Sequence, residues 1–224
     1  MDYHELLQLK ASKSAKKGGK ETLAELDEWR KQLSDDVREN PRALTHGELA
    51  KLMTWKLKRG TFRPKLQQLA ESNRAEEVEQ VTQKAAHLIA GDEIIEAIKV
   101  LSELKGVGPA TASLLGSVMS VNVPFFSDEA FAHVCPGVKI TYTLKAYEKF
   151  LNAIVAWGHQ RDLNAVEAEQ EAWVLGMRDK YADKGTNKTG KKEQEDVKIV
   201  KTNEEEKEEK EEKEEERPAK RRRR

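Results

Sequence analysis

The chain holds a single cysteine, Cys135. This excludes an internal disulfide framework and any four-cysteine zinc or iron–sulfur site built from this chain, and it suits a reducing compartment. No segment approaches the roughly 20 apolar residues a bilayer-crossing helix needs, and MDYHELLQLKASKSAKKGGK lacks a signal-peptide core. A soluble, non-exported protein with no membrane partner is expected. Aromatic residues are only 6% of the chain, and all of them precede position 182, so one compact core is expected. No sign of charge dominates: 40 Lys and Arg balance 40 Asp and Glu. From Lys184 to Arg224 there are 15 basic and 13 acidic residues, which leaves 25 and 27 in residues 1–183. Any nucleic-acid surface must therefore be a local patch. A P-loop, a serine-nucleophile motif and a run alternating with the two-residue period of a half-buried strand are also missing.

What is present is helical patterning. Thr22 is placed to cap a helix carrying Leu23, Leu26, Trp29 and Leu33 that ends before Asn40-Pro41. Thr45 and Glu48 make a capping box ahead of Leu49, Leu52 and Met53, with Gly60 as the stop. Ser72 or Asn73 is expected to start a helix through Val78, Val81, Ala85 and Leu88, ended by Gly91, and Asp92 another through Ile94, Ile98 and Leu101. Apolar residues three and four apart recur from Thr143 to Trp157 and from Leu163 to Asp179. The expected fold class is all-α, a packed array of seven to nine helices.

Three segments are expected: an N-terminal extension over 1–20 with a flexible link at Gly18-Gly19, a helical domain over 21–182, and a Glu/Lys-rich tail over 183–224. The tail lacks periodic apolar positions to offset the entropy of ordering and is expected to be disordered. Its last residues, Lys220, Arg221, Arg222, Arg223 and Arg224, follow Pro218 as a basic cluster that reads as a nuclear-import signal. A nuclear location and an import receptor as partner follow; solvated charge is the plain alternative.

The densest chemistry lies in LKGVGPATASLLGSVMSVNVPFFSDEA, residues 104–130. Leu101 to Leu104 closes one helix, Lys105 to Gly108 turns the chain, and Pro109 suits the first position of the next helix, where its missing amide is no loss. Glycines at 106 and 108 permit positive φ and clear the approach to the backbone, whose amides suit a phosphate oxygen. The run Leu101, Leu104, Gly106, Val107, Gly108, Thr111, Ala112 and Leu115 resembles the helix-hairpin-helix motif of the DNA glycosylase superfamily. Its usual form is Leu-Pro-Gly-Val-Gly-x-x-Thr-Ala, and here Lys105 stands for the proline. The likeness extends loosely from Leu49 to Trp173, and with WKLKRGTFRP included it is closest to the nuclear Amun-like branch.

The resemblance implies DNA as partner, gripped through its backbone without sequence reading. Lys105, Gly106, Val107, Gly108, Ala110 and Thr111 would form the contact, with Lys58 and Arg59 as assisting cations in the basic stretch that also holds Lys56, Arg63 and Lys65. In the superfamily a catalytic aspartate follows the hairpin by about twenty residues, and Asp128 stands there. Such a carboxylate stabilises positive charge on the sugar and directs a water. Ser127 is expected to cap the helix that Asp128 begins; an ordinary helix start is the plain alternative. Phe125 and Phe126 are candidates for a base pocket, with core packing as the competing role for them and for Phe131.

Two departures weaken the match. Members that also cut the strand carry a lysine where this chain has Ala110, so no lyase step is expected. Glu129-Ala130-Phe131 also replace the histidine or asparagine that follows the aspartate in many members. His133 and Cys135 alternate around Val134 but lack further ligands, so neither a metal nor a cofactor is expected. The leading reading is a monofunctional DNA glycosylase of the base-excision type. The alternatives are a non-catalytic nuclear DNA-binding adaptor that kept the fold, and a scaffold that binds only proteins.

Overall fold

Two threonines open helices by one device. The Glu25 amide donates to Thr22 Oγ1 at 3.2 Å and the Thr22 amide to the Glu25 carboxylate at 2.7 Å; Thr45 and Glu48 repeat the exchange at 3.3 and 2.7 Å. The computed structural model describes residues 2–14 and 21–186, and among these every regular element is a helix. In chain order they are α1 (Tyr3–Ser14), α2 (Leu23–Glu39), α3 (His46–Arg59), α4 (Pro64–Glu71), α5 (Ala75–Ala90), α6 (Ile94–Leu101), α7 (Pro109–Met119), α8 (Asp128–Val134), α9 (Leu144–His159) and α10 (Ala165–Thr186). The all-α class stands, with ten helices among the described residues where seven to nine are expected from the pattern.

The chain divides into two compact units, Met1–Lys180 and Tyr181–Arg224. The first carries all the geometry that follows. Of the second, residues 181–186 are described, as helix. Residues 15–20 and 187–224 lie outside the described residues, and with them most of the expected link, nearly all of the tail and the basic cluster at 220–224.

The surplus helices are α1 and α4. Leu6 and Leu7 are fully buried where α1 packs on α2 and α3, and Tyr3 donates its hydroxyl to Asp27 Oδ1 at 2.9 Å. Helix α1 thus adds Leu6 and Leu7 to the core, although two adjacent leucines make only a short stripe. Helix α4 begins with Pro64 in its first turn and has no side-chain cap, so little in its sequence announces it.

Helix α7 is the centre of the unit. Residues 110–118 are all buried, against α2, α3, α5, α6 and α9. A helix buried on every side shows no apolar stripe. Downstream, α8 is held close to α10 because Gly176 carries no side chain: a Cβ there would lie 2.2 Å from the Glu129 carbonyl oxygen. Phe126 stacks on Phe150 at 5.3 Å and meets Phe131 and Tyr147 at 5.6 and 5.8 Å, fixing the segment before α8 to α9.

Two expected helix starts are displaced. Helix α5 begins at Ala75 without a side-chain cap, because the Asn73 side chain is engaged elsewhere. Asp92 takes the left-handed conformation, φ 62°, so the helix after it starts at Ile94.

Candidate functional site

The turn between α6 and α7 is fastened from below. Asn73, buried, donates from Nδ2 to the Lys105 carbonyl at 3.0 Å and accepts the Lys105 amide on Oδ1 at 2.8 Å. That two-point clamp is the work that keeps Asn73 from capping α5. Gly106 follows with φ +74°, and a Cβ there would sit 2.8 Å from Leu69 Cβ and 3.0 Å from the Ala70 amide nitrogen. Both its conformation and the approach of α4 require glycine. Gly108 is different: its backbone is extended (φ −95°, ψ −179°) and a Cβ would meet nothing within 4 Å.

The Val107 amide donates to the Leu104 carbonyl, while the Gly108 carbonyl accepts from Thr111 and Ala112 at 2.8 and 2.9 Å. The amides of Gly106, Gly108 and Ala110 donate to no protein atom among the described residues. The side chains of Val107 and Ala110 are buried, so these two residues offer the turn's backbone and not their side chains, and Lys105 is exposed beside it. Free amides at a helix N-terminus suit an anion.

Asp128 is exposed at the start of α8 and accepts the Tyr142 hydroxyl on Oδ1 at 2.9 Å. Burial first, then the Asp128 charge and this bond, push the Tyr142 phenol up, so it stays a donor. The Arg63 guanidinium lies 5.9 Å from the Tyr142 ring centroid. Lys56 reaches in from α3 and donates to Thr111 Oγ1, in the first turn of α7, at 2.7 Å. Burial and then the Arg63 charge lower its ammonium from 10.5 to about 8, with Asp128 opposing them. Lys56, Arg63, Thr111, Asp128 and Tyr142 therefore form one electrostatic group joining α3, α7, α8 and the loop before α9.

The lowered Lys56 value has a stability consequence. Between about pH 8 and 10.5 the unfolded chain binds the proton that the folded one has released, so stability rises with pH there; below 8 the penalty is fully present. Replacing Lys56 with Met should therefore stabilise the protein at pH 7 by about 1–2 kcal/mol after allowing for partial exposure. Urea unfolding at pH 7 and 9.5 should show that advantage shrinking at the higher pH.

No family model, curated protein or solved structure matches this chain. Its function must be read from the geometry.

Several side chains expected at the site lie elsewhere. Arg59 is 3% exposed, enclosed by the Trp55, Phe125 and Trp173 rings, and donates from both terminal nitrogens to Glu169 Oε1 at 3.2 Å. Burial pulls its guanidinium down, but Glu169 and further neighbours outweigh that and raise it. Lys58 is 5% exposed and donates to the Glu21 carbonyl at 2.5 Å. Both cations are buried and engaged within the protein, and neither is presented at the surface. Arg63, which acts on Tyr142, and Lys105, in the turn itself, are exposed.

Phe126 is in the aromatic core, whereas Phe125, edge-on to Trp55 at 5.5 Å, lines a small cavity with Tyr3, Trp55, Arg59 and Glu169. Ser127 occupies the cap position of α8 without capping it; its hydroxyl donates to Glu169 Oε1 at 2.5 Å. His133 faces Asp179 at 3.7 Å and Cys135 is buried, and no group of three potential metal ligands occurs among the described residues. No helix among those residues is long and apolar enough to cross a membrane.

Sequence reading missed Lys56, Arg63 and Tyr142 as members of the acid's surroundings. One signal was available for Lys56. It continues the stripe Leu49, Leu52, Met53 at the next helical turn, and a lysine on a buried stripe is held there by something specific.

Proposed function

We propose that the protein binds DNA through the turn Lys105 to Ala110 and acts as a monofunctional DNA glycosylase, with Asp128 stabilising positive charge on the sugar and directing a water. The observation that carries this reading is the setting of Asp128. It is exposed, fixed by Tyr142, and electrostatically joined to a lysine bonded to the first turn of the hairpin's second helix. A water-accessible carboxylate with a fixed orientation is what hydrolysis of a base-to-sugar bond asks for. The free amides of Gly106, Gly108 and Ala110 would take one phosphate, and Lys105 and Arg63 would add salt-dependent attraction. The basic cluster at 220–224 fits delivery to the nucleus by an import receptor.

Duplexes carrying uracil, alkylated, oxidised or mismatched bases test this. Wild-type protein should release one of these bases, and Asp128→Asn should slow release by about 10²–10⁴-fold while leaving duplex affinity within a few-fold. A second reading is favoured by the burial of Phe126 in the aromatic core, where it lines no base pocket: a nuclear DNA-binding adaptor without chemistry. Salt-sensitive duplex binding with no base released from any duplex would establish it.

A further inference from the structure

Among the described residues, four of the five buried polar side-chain atoms without a hydrogen-bond partner gather beneath the start of α1: Asp27 Oδ2, Arg30 Nε, Arg59 Nε and Trp173 Nε1. Tyr3 joins them, since it bonds Asp27, packs on Trp173 at 5.3 Å and lines one cavity with Arg30 and Arg59. We propose that this cavity, walled by Tyr3, Arg30, Trp55, Arg59, Phe125 and Glu169, is an anion site that takes a single halide ion, chloride in the cell. The site stands apart from the DNA reading and does not depend on it.

Arg30 is 9% exposed and Arg59 3%, and both guanidiniums are held to the same Trp55 ring, 4.7 and 5.1 Å from its centroid. A guanidinium carries five N–H donors and no acceptor. The carboxylates nearby are already crowded. Asp27 Oδ1 accepts from Tyr3, from Trp55 Nε1 at 3.0 Å and from Arg30 at 3.4 Å, and Asp27 Oδ2 has the Lys31 ammonium at 3.3 Å. Glu169 Oε1 accepts both terminal nitrogens of Arg59 and the Ser127 hydroxyl. The unmade bonds on the cavity wall therefore belong to the Nε donors of Arg30 and Arg59, and a buried donor left unpaired destabilises the fold.

An acceptor with no hydrogen of its own can serve both donors. Charge favours a negative one, because Arg30, Arg59 and Lys31 stand against Asp27 and Glu169 alone, which leaves positive charge in excess. Size sets the rest: the cavity has room for one guest of about the size of a water molecule, which admits a halide and excludes a phosphate or a nucleotide. An ion there also braces the segment that enters α8, since Phe125 lines the cavity and Ser127 donates to Glu169.

The test melts the full chain at fixed ionic strength while sodium chloride replaces sodium gluconate, whose anion is too large to enter. The melting temperature should rise by about 2–4 °C and follow the logarithm of chloride concentration once the site fills, as for any ion bound by the folded chain alone. Sodium bromide should act alike. Arg30→Lys keeps the charge but removes the Nε donor, and Val166→Leu fills the cavity from α10 with an apolar group. Each should abolish the chloride-dependent rise. In crystals grown with sodium bromide, anomalous scattering should place one bromide against Arg30 Nε and Arg59 Nε, a readout that holds even if a variant fails to fold. A rise linear in salt and equal in wild type and both variants would be a general salt effect and would overturn the site. Bromide bound only elsewhere, or a water in the cavity of bromide-grown crystals, would overturn it as well.

Discussion

Replacing Glu169 with Ala should lower the unfolding free energy by about 3–5 kcal/mol, because it strands a charge in the interior. Glu169 accepts both terminal nitrogens of Arg59 and the Ser127 hydroxyl, and all three residues are buried. Arg59 already has its Nε without a partner, so the loss of Glu169 adds to a hydrogen-bond deficit that is present from the start. A loss of that size is a large share of the 5–15 kcal/mol that holds a typical domain together. Denaturant titration of the variant will measure it. The double replacement Arg59→Met with Glu169→Leu should recover most of the loss, since two apolar side chains leave no unpaired charge. Full additivity of the two single losses would contradict the pairing. The same bonds fix Ser127 beside Asp128, so Glu169→Ala should also impair any activity that depends on the acid's position.

Gly108→Asp should separate stability from binding. The backbone there is one any residue adopts and the space beyond is open, so the substitution fits without strain. An aspartate at the cap position of α7 would bond the free Ala110 amide and oppose the helix dipole, and it would narrow the unfolded ensemble. The expected gain is up to about 1 kcal/mol. The same carboxylate would occupy the amides offered to a phosphate and repel it. Duplex affinity should drop about 10–100-fold, the worth of a charge-assisted hydrogen bond. Thermal melting together with fluorescence anisotropy on a labelled duplex checks both halves. Unchanged affinity would mean that the turn does not hold DNA, and Gly108→Ala, which adds no charge, should bind almost as wild type does.

The sequence determined what depends on local chemistry. Capping pairs at Thr22 and Thr45, stops at Gly60 and Gly91, and stripes three and four residues apart placed most helices, because each signal acts within one turn of the backbone. The Gly106 turn was legible for the same reason, since a left-handed residue before a proline-started helix narrows the choices to glycine. Helices α1 and α4 escaped because two leucines and an uncapped proline make weak local signals, and packing onto neighbours stabilises what propensity does not.

Only the tertiary structure decided which charges face outward. Lys58 and Arg59 sit in the same basic run as Lys56 and Arg63, and nothing in that run tells them apart. The distinction comes from partners far along the chain: Glu169 and the rings of Trp55, Phe125 and Trp173 enclose Arg59, Thr111 holds Lys56, and Tyr142 holds Asp128. Ser127 looked like a helix cap and Asn73 like another, yet each was drawn to a buried partner. A hydroxyl or amide makes the bond that costs most to leave unmade, and burial, which sets that cost, belongs to the folded molecule and not to any short stretch of sequence.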